Sequence, residues 1–210
     1  MSPLNHKNRN IYLIIMLLAG WFALALQLYL MVTSKEATNP VFTRVINFFS
    51  FFTILSNILV AVNCTVLVIK PSTRINTPSV QSALAVYIAI VGITYSLVLR
   101  KLWHPQGWQL VADVLLHDVI PVMYVVYWLV FVPKGQLKWN DALRWLLFPF
   151  VYIAYTLLRG AQTCWYPYPF VDAHALGYGK VWLNVLLFSA AFLLVGKILV
   201  FLDKMIAKKR

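Results

Sequence analysis

Asp113, His117 and Asp118 fall within one apolar run, Leu110 to Val132. An ionisable side chain at the centre of a membrane span costs about 2.5–3.5 kcal/mol on insertion scales, so it faces a cavity or a partner. Four residues apart, Asp113 and His117 share one helix face, with about 5–6 Å between Cβ atoms. A carboxylate beside an imidazole fixes its tautomer and stabilises its protonated form, as in hydrolytic triads. The same pair also suits a buried clamp between helices, and spacing does not separate the two roles. Asp118 is turned about 100° from His117. The run Val45 to Ile69 supplies hydroxyls and amides, among them Ser50, Thr53 and Asn57. These three fall at helical angles of about 0°, 300° and 340°, a narrow stripe that should face protein. Thr53 is a candidate nucleophile or, as small polar residues often are in membranes, a helix-packing residue. Arg159 is placed to hold a carboxylate or phosphate, or to pair with Asp172. Asn184 is placed to donate to an oxyanion or to bond another helix.

These residues need elements that cross a bilayer. Of the 210 residues, 61% are hydrophobic and 11% charged, against about 25% charged in a soluble domain. A soluble globular protein is excluded. Six apolar runs of spanning length lie at roughly 11–33, 45–69, 80–99, 110–132, 142–158 and 181–202, and none shows the alternation of a β-barrel. The expectation is an all-α polytopic membrane protein, one six-helix domain over 1–210. The first run reads as a retained signal anchor.

With six spans both termini share a side. Eleven Lys and Arg then lie with the termini (Lys7, Arg9, Lys70, Arg74, Lys134, Lys138, Arg144, Lys204, Lys208, Lys209, Arg210) and six opposite (Lys35, Arg44, Arg100, Lys101, Arg159, Lys180). The termini are therefore expected to be cytoplasmic. A net charge of +12 is accounted for by this orientation, so membrane lipids rather than nucleic acid are the expected contacts. In this arrangement Thr53 and His117 lie about 12 and 10 Å below the non-cytoplasmic surface, at ~1.5 Å per residue, which permits a hydroxyl–imidazole contact.

The segments Phe-Phe-Thr-Ile-Leu-Ser-Asn at 51–57, Leu-Leu-His-Asp-Val-Ile-Pro at 115–121 and Tyr-Pro-Tyr-Pro-Phe at 166–170 carry a resemblance. The chain resembles the androgen-induced and androgen-dependent TFPI-regulating membrane proteins and their bacterial relatives. That resemblance implies an intramembrane threonine hydrolase cleaving fatty acid esters of hydroxy fatty acids. Thr53 corresponds to its nucleophile and His117 to its histidine, with no metal or other cofactor. Asp113 as orienter of His117 comes from the spacing above. The expected reaction is attack by Thr53 on a lipid ester, His117 acting as general base. Ser50, Asn57 and Asn184 are candidates for the oxyanion, and Arg159 for the substrate carboxylate.

A competing class is a proton-linked transporter or channel relaying protons through Asp113, His117 and Asp118. A third is an assembly protein whose polar stripes only pack helices. A metal held by His104, His117 and His174 with Asp172 is a lesser alternative, His6 lying in the tail.

Overall fold

In the computed structural model, residues 3–34, 38–71 and 76–208 are described, with side chains from residue 6 onward. Lys35, Arg74, Lys209 and Arg210, four of the bases counted above, lie outside the described residues. Among the described residues every regular element is helical, and six helices are long and apolar enough to cross a membrane: His6–Thr33, Phe52–Ile69, Pro78–Leu99, Gly107–Phe131, Asp141–Thr163 and Tyr178–Lys208. The chain is an all-α, multi-pass integral membrane protein.

Two spans are broken within their sequence outlines, each for a local reason, and the first and sixth run beyond theirs, to His6 and Lys208. The second does not run unbroken from Val45. Helix α2 (Val41–Phe48) stops, and α3 (Phe52–Ile69) starts after Phe51, which is extended at φ −82°, ψ 128°. Ser50 Oγ donates to the Ile46 carbonyl at 2.7 Å, and the amides of Ser50 and Phe51 reach back only three residues, to Asn47 and Phe48. A tightened last turn with a side-chain bond to its backbone ends the helix. Ser50 therefore does not continue the α3 stripe that carries Thr53 and Asn57. The fifth span likewise divides into α7 (Asp141–Arg144) and α8 (Leu147–Thr163). Pro149 falls in the first turn of α8, where a missing N–H forfeits no intrahelical bond.

The chain forms two compact units, Met1–Pro133 and Lys134–Arg210. In the first, α1 (Pro3–Thr33) packs along α3, and a Cβ on Gly20 would lie 3.3 Å from Ala61 Cβ. Small residues give membrane helices this close approach. Helix α4 (Pro78–Thr94) starts with Pro78 at N1 and the Thr77 hydroxyl accepting from the Val80 amide at 3.3 Å. It continues into a π-helical turn, Tyr95–Leu99. The fourth span is α5 (Gly107–Val114), a second π turn (Leu115–Val119) and α6 (Ile120–Phe131).

Away from the π turns, a paired polar layer joins α3, α4 and α6. Tyr124 donates to Asn63 Oδ1 at 3.0 Å, Tyr127 to Gln81 Oε1 at 3.1 Å, and Trp128 Nε1 to Ser82 Oγ at 2.7 Å. Gln81 Nε2 in turn donates to the Asn76 carbonyl at 3.1 Å. All three aromatic residues are at most 2% exposed. In a dry interior such bonds avoid orphaned polar groups and fix the lateral register of the helices.

In the second unit, Asp203 on α10 (Tyr178–Lys208) is 1% exposed and accepts from the Leu137 amide at 3.1 Å. Asp141 Oδ2 accepts from the Lys138 amide at 2.8 Å. Two buried carboxylates thus tie the segment before α7 to the following helices.

Ser82→Ala removes the acceptor of the Trp128 indole and should destabilise the purified protein by about 0.6–2 kcal/mol, the span measured for interhelical membrane hydrogen bonds. Combining it with Trp128→Phe should cost less than the sum of the two. Additive losses in melting temperature would show that the two side chains are not coupled.

Candidate active site

The site begins with a proline. Pro121 has no N–H, and its ring opposes the carbonyl four residues back, that of His117. The helix answers by lengthening one turn: the Ile120 amide bonds the Leu115 carbonyl five residues back. Single π turns of this kind recur at functional sites. On the facing helix the Arg100 amide does the same to Tyr95, at 2.8 Å. Gly92 brings the two segments together. A Cβ there would lie 3.2 Å from the His117 carbonyl oxygen and 3.2 Å from Pro121 Cβ.

Between these turns the structure brings Asp113 and His117 together. His117 Nδ1 lies 3.0 Å from the Asp113 carbonyl and 3.3 Å from Asp113 Oδ1. Both facing atoms are acceptors, so in the neutral ring Nδ1 carries the proton and Nε2 the lone pair. Asp113 is 4% exposed, and its Oδ2 accepts a hydrogen bond from the Tyr95 hydroxyl. The Tyr95 ring stacks on His117 at 4.1 Å between centroids, with 17° between planes. Asp113 Oδ2 is thus held by Tyr95, its Oδ1 lies within ion-pair distance of His117 Nδ1, and the His117 ring is fixed by its bond to the Asp113 carbonyl and by the Tyr95 stack. Asp118 is turned away from this cluster and pairs with Arg100, whose guanidinium lies 5.1 Å from the Tyr95 ring centroid. Tyr95 and Arg100 were not singled out from the sequence; the signal was present as the polar Thr94-Tyr95-Ser96 triplet closing an otherwise apolar run.

Asn57 connects α3 to this cluster. Its amide nitrogen donates to the Thr53 carbonyl at 2.8 Å and to the Leu116 carbonyl at 3.2 Å. The turn bearing Thr53 is thereby fixed to the residue preceding His117. Thr53 is buried, at 8% exposed. The hydrogen bonds of the His117 ring run to Asp113, and none joins it to Thr53 among the described residues.

The sequence candidates for an oxyanion hole are otherwise engaged. Ser50 donates to Ile46, Asn57 uses both amide hydrogens, and Asn184 Nδ2 donates to the Phe170 carbonyl at 2.8 Å. Asn57 Oδ1 and Ser56 Oγ are buried without a hydrogen-bond partner among the described residues.

Arg159 and Asn184 belong to the second unit. The Arg159 guanidinium lies 4.6 Å from the Trp165 ring centroid. Asp172 Oδ1 accepts from the amides of His174 and Ala175, at 2.9 and 3.0 Å, capping the short α9 (Ala173–Leu176). In the same loop, burial pushes the Tyr166 phenol above its ordinary range, with Tyr178 and Asp172 adding to the rise. Among the described residues no three His, Cys, Asp or Glu side chains group as a metal site would require.

His117 opens onto a groove of about 470 Å³ between α4 and α6, bordered also by Ser96 and Asp118. Fold and site together define a six-span helical membrane protein with a buried Asp–His–Tyr cluster at the edge of an apolar groove. No protein-family model, curated protein or solved structure matches the chain.

Gly92→Val should force α4 off the His117 turn and cost about 1–3 kcal/mol, as overpacking does; Gly92→Ala should cost less. Melting temperatures of the two purified variants check this, and equal values would mean that the approach at Gly92 is not tight.

Proposed function

We propose that this protein hydrolyses lipid esters within the membrane, as the threonine hydrolases it resembles do, and that it belongs with them. The observation that carries this is the state of His117: Nδ1 is occupied by Asp113, and Nε2 has no hydrogen-bond partner among the described residues. That is the arrangement of a general base. As the ester carbonyl seats beside His117, Nε2 takes the Thr53 hydroxyl proton and Thr53 Oγ1 bonds to the carbonyl carbon. The ester C–O bond breaks, and His117 returns the proton to the departing alcohol. Water, deprotonated by the same nitrogen, then attacks the acyl-threonine; the C–Oγ1 bond breaks, the fatty acid leaves, and His117 returns the proton to Thr53 Oγ1. Contact between Thr53 and His117 forms on substrate binding, the Asn57 bridge keeping the two turns adjacent; catalytic hydrogen bonds commonly tighten only in the complex. Asp113 and Tyr95 are positioning residues.

The transporter alternative draws less support. Asp118 is neutralised by Arg100 rather than joined to a relay, and the aromatic hydroxyls deeper in the bundle are paired with Asn63 and Gln81.

Turnover of a palmitoyl ester by purified protein should fall about 10³-fold or more in Thr53→Ala and His117→Ala, and less in Asp113→Asn, where the Asp113 carbonyl still accepts from Nδ1 and only the carboxylate that stabilises the imidazolium is lost. Mass spectrometry should find an acyl adduct on Thr53 in the wild type. Full turnover in Thr53→Ala would assign attack to water activated by His117, and full turnover in His117→Ala would end the hydrolase reading.

The termini are proposed to be cytoplasmic, with His117 toward the outer leaflet of the cell membrane. Cys164 is exposed and Cys64 buried. A membrane-impermeant maleimide should therefore label Cys164 on intact cells and leave Cys164→Ser unlabelled. Labelling only after lysis would reverse the orientation.

A further inference from the structure

The loop ahead of α7 is fixed at three successive residues. The Leu137 amide donates to Asp203 Oδ2 at 3.1 Å, the Lys138 amide to Asp141 Oδ2 at 2.8 Å, and the Trp139 carbonyl accepts from Lys197 Nζ at 3.3 Å. Gly135, at φ 85°, lets the chain pass close to α10, where an added Cβ would lie 3.0 Å from Ala207 Cβ. Leu137 is buried, while Lys138, Trp139 and Asn140 are exposed. An indole, 45% exposed, is thus planted on a rigid loop, with the Lys197 ammonium 5.3 Å from its ring centroid. Bases gather around it. Asp203 and Ala207 face the loop, and Lys204 and Lys208 each follow by one residue, about 100° round α10. Lys138 and Lys208 are exposed, and the Arg144 side chain is 77% exposed while lying 3.4 Å from Asp141. The two carboxylates here, Asp141 and Asp203, are buried and turned to backbone amides, so the outward face is cationic. All of this lies at the end of two membrane helices, the fifth span beginning at Asp141 and the sixth ending at Lys208.

We infer that this loop and the end of α10 form a binding site for the headgroup of an acidic phospholipid of the phosphatidylglycerol kind. Lys138, Arg144, Lys204 and Lys208 supply the charge that holds the phosphate, each base near a membrane surface being worth about fivefold in affinity. Trp139 lies against the glycerol and the first carbons of the chains, the level at which indoles settle in a bilayer. An acidic protein is a poorer match, because the exposed indole stands among the bases at the end of two spans, where lipid surrounds it. Holding the loop in place beforehand, through Asp203, Asp141 and Lys197, removes the ordering cost of binding. That fixation separates this site from the general attraction of any basic loop to a negative membrane. The site lies wholly within Lys134–Arg210 and is independent of the hydrolytic reading.

The test uses the full-length protein in phosphatidylcholine nanodiscs doped with a phosphatidylglycerol whose headgroup carries a diazirine and an alkyne, adducts being mapped by peptide mass spectrometry. Labelling should be saturable, concentrated on 134–144 and 197–208, and competed by unlabelled phosphatidylglycerol but not by added phosphatidylcholine. Lys138→Gln combined with Lys208→Gln, both at exposed positions, should lower it about tenfold or more. Removing two charges elsewhere, Lys101→Gln with Lys180→Gln, should change it less than about twofold. Asp203→Ala makes the patch more positive while releasing the Leu137 amide, and should lower labelling about threefold, the part of the affinity owed to a preformed loop; simple charge attraction would raise it. Should that variant fail to fold, Trp139→Ala makes the same test from an exposed position without changing charge, and should lower labelling by about as much. Equal losses in the two double variants, labelling that rises in Asp203→Ala or is unchanged in Trp139→Ala, or competition by phosphatidylcholine would overturn the site. Competition by soluble glycerol phosphate at millimolar concentration would assign the patch to a free phosphate and overturn the lipid.

Discussion

A carboxylate buried among hydrocarbon side chains is costly unless hydrogen-bond donors and a potential counter-charge meet it. Asp113 is that group here. Its two partners come from different places: Tyr95 from the facing helix, and His117 from one turn further along its own. Much of the surrounding structure follows from bringing them in. Gly92 lets α4 come close enough for Tyr95 to reach across, the π turns set the rotation of the segments that face each other, and Arg100 takes up the remaining charge of Asp118.

The second constraint is the absence of water to finish what the protein leaves undone. In the polar layer deeper in the first unit, amide, hydroxyl and indole groups pair with one another. That layer lies further along α6 than the Asp113 cluster, on Tyr124, Tyr127 and Trp128.

How much of this was written in the sequence depends on the kind of signal. Hydropathy runs at membrane length are unmistakable, and all six helices lie where the apolar runs lie. Asp113 and His117 were found by their spacing, because an i, i+4 pair still shares a face when the intervening turn is slightly widened. Breaks were harder to see. Ser50 and Phe51 interrupt the second span through one side-chain bond and an extended residue, neither of which alters hydrophobicity. Tyr95 escaped for a related reason: an aromatic in an apolar run looks like packing until its hydroxyl is placed against a carboxylate from another helix. Asn57 was noticed as polar, but its task of spanning two carbonyls depends on a neighbour 59 positions away.

The paired π turns have one more consequence. Each holds one residue more than an α turn, so the stretches on either side are about 100° out of phase with an uninterrupted helix. Trimming a single residue from Tyr95–Leu99 would let the Arg100 amide keep its bond to the Tyr95 carbonyl as an ordinary helical one, so Arg100 would still face Asp118. A one-residue change of length at either turn is therefore absorbed by the turn itself, and the facing of the two segments is set by the contacts between them rather than by the residue count.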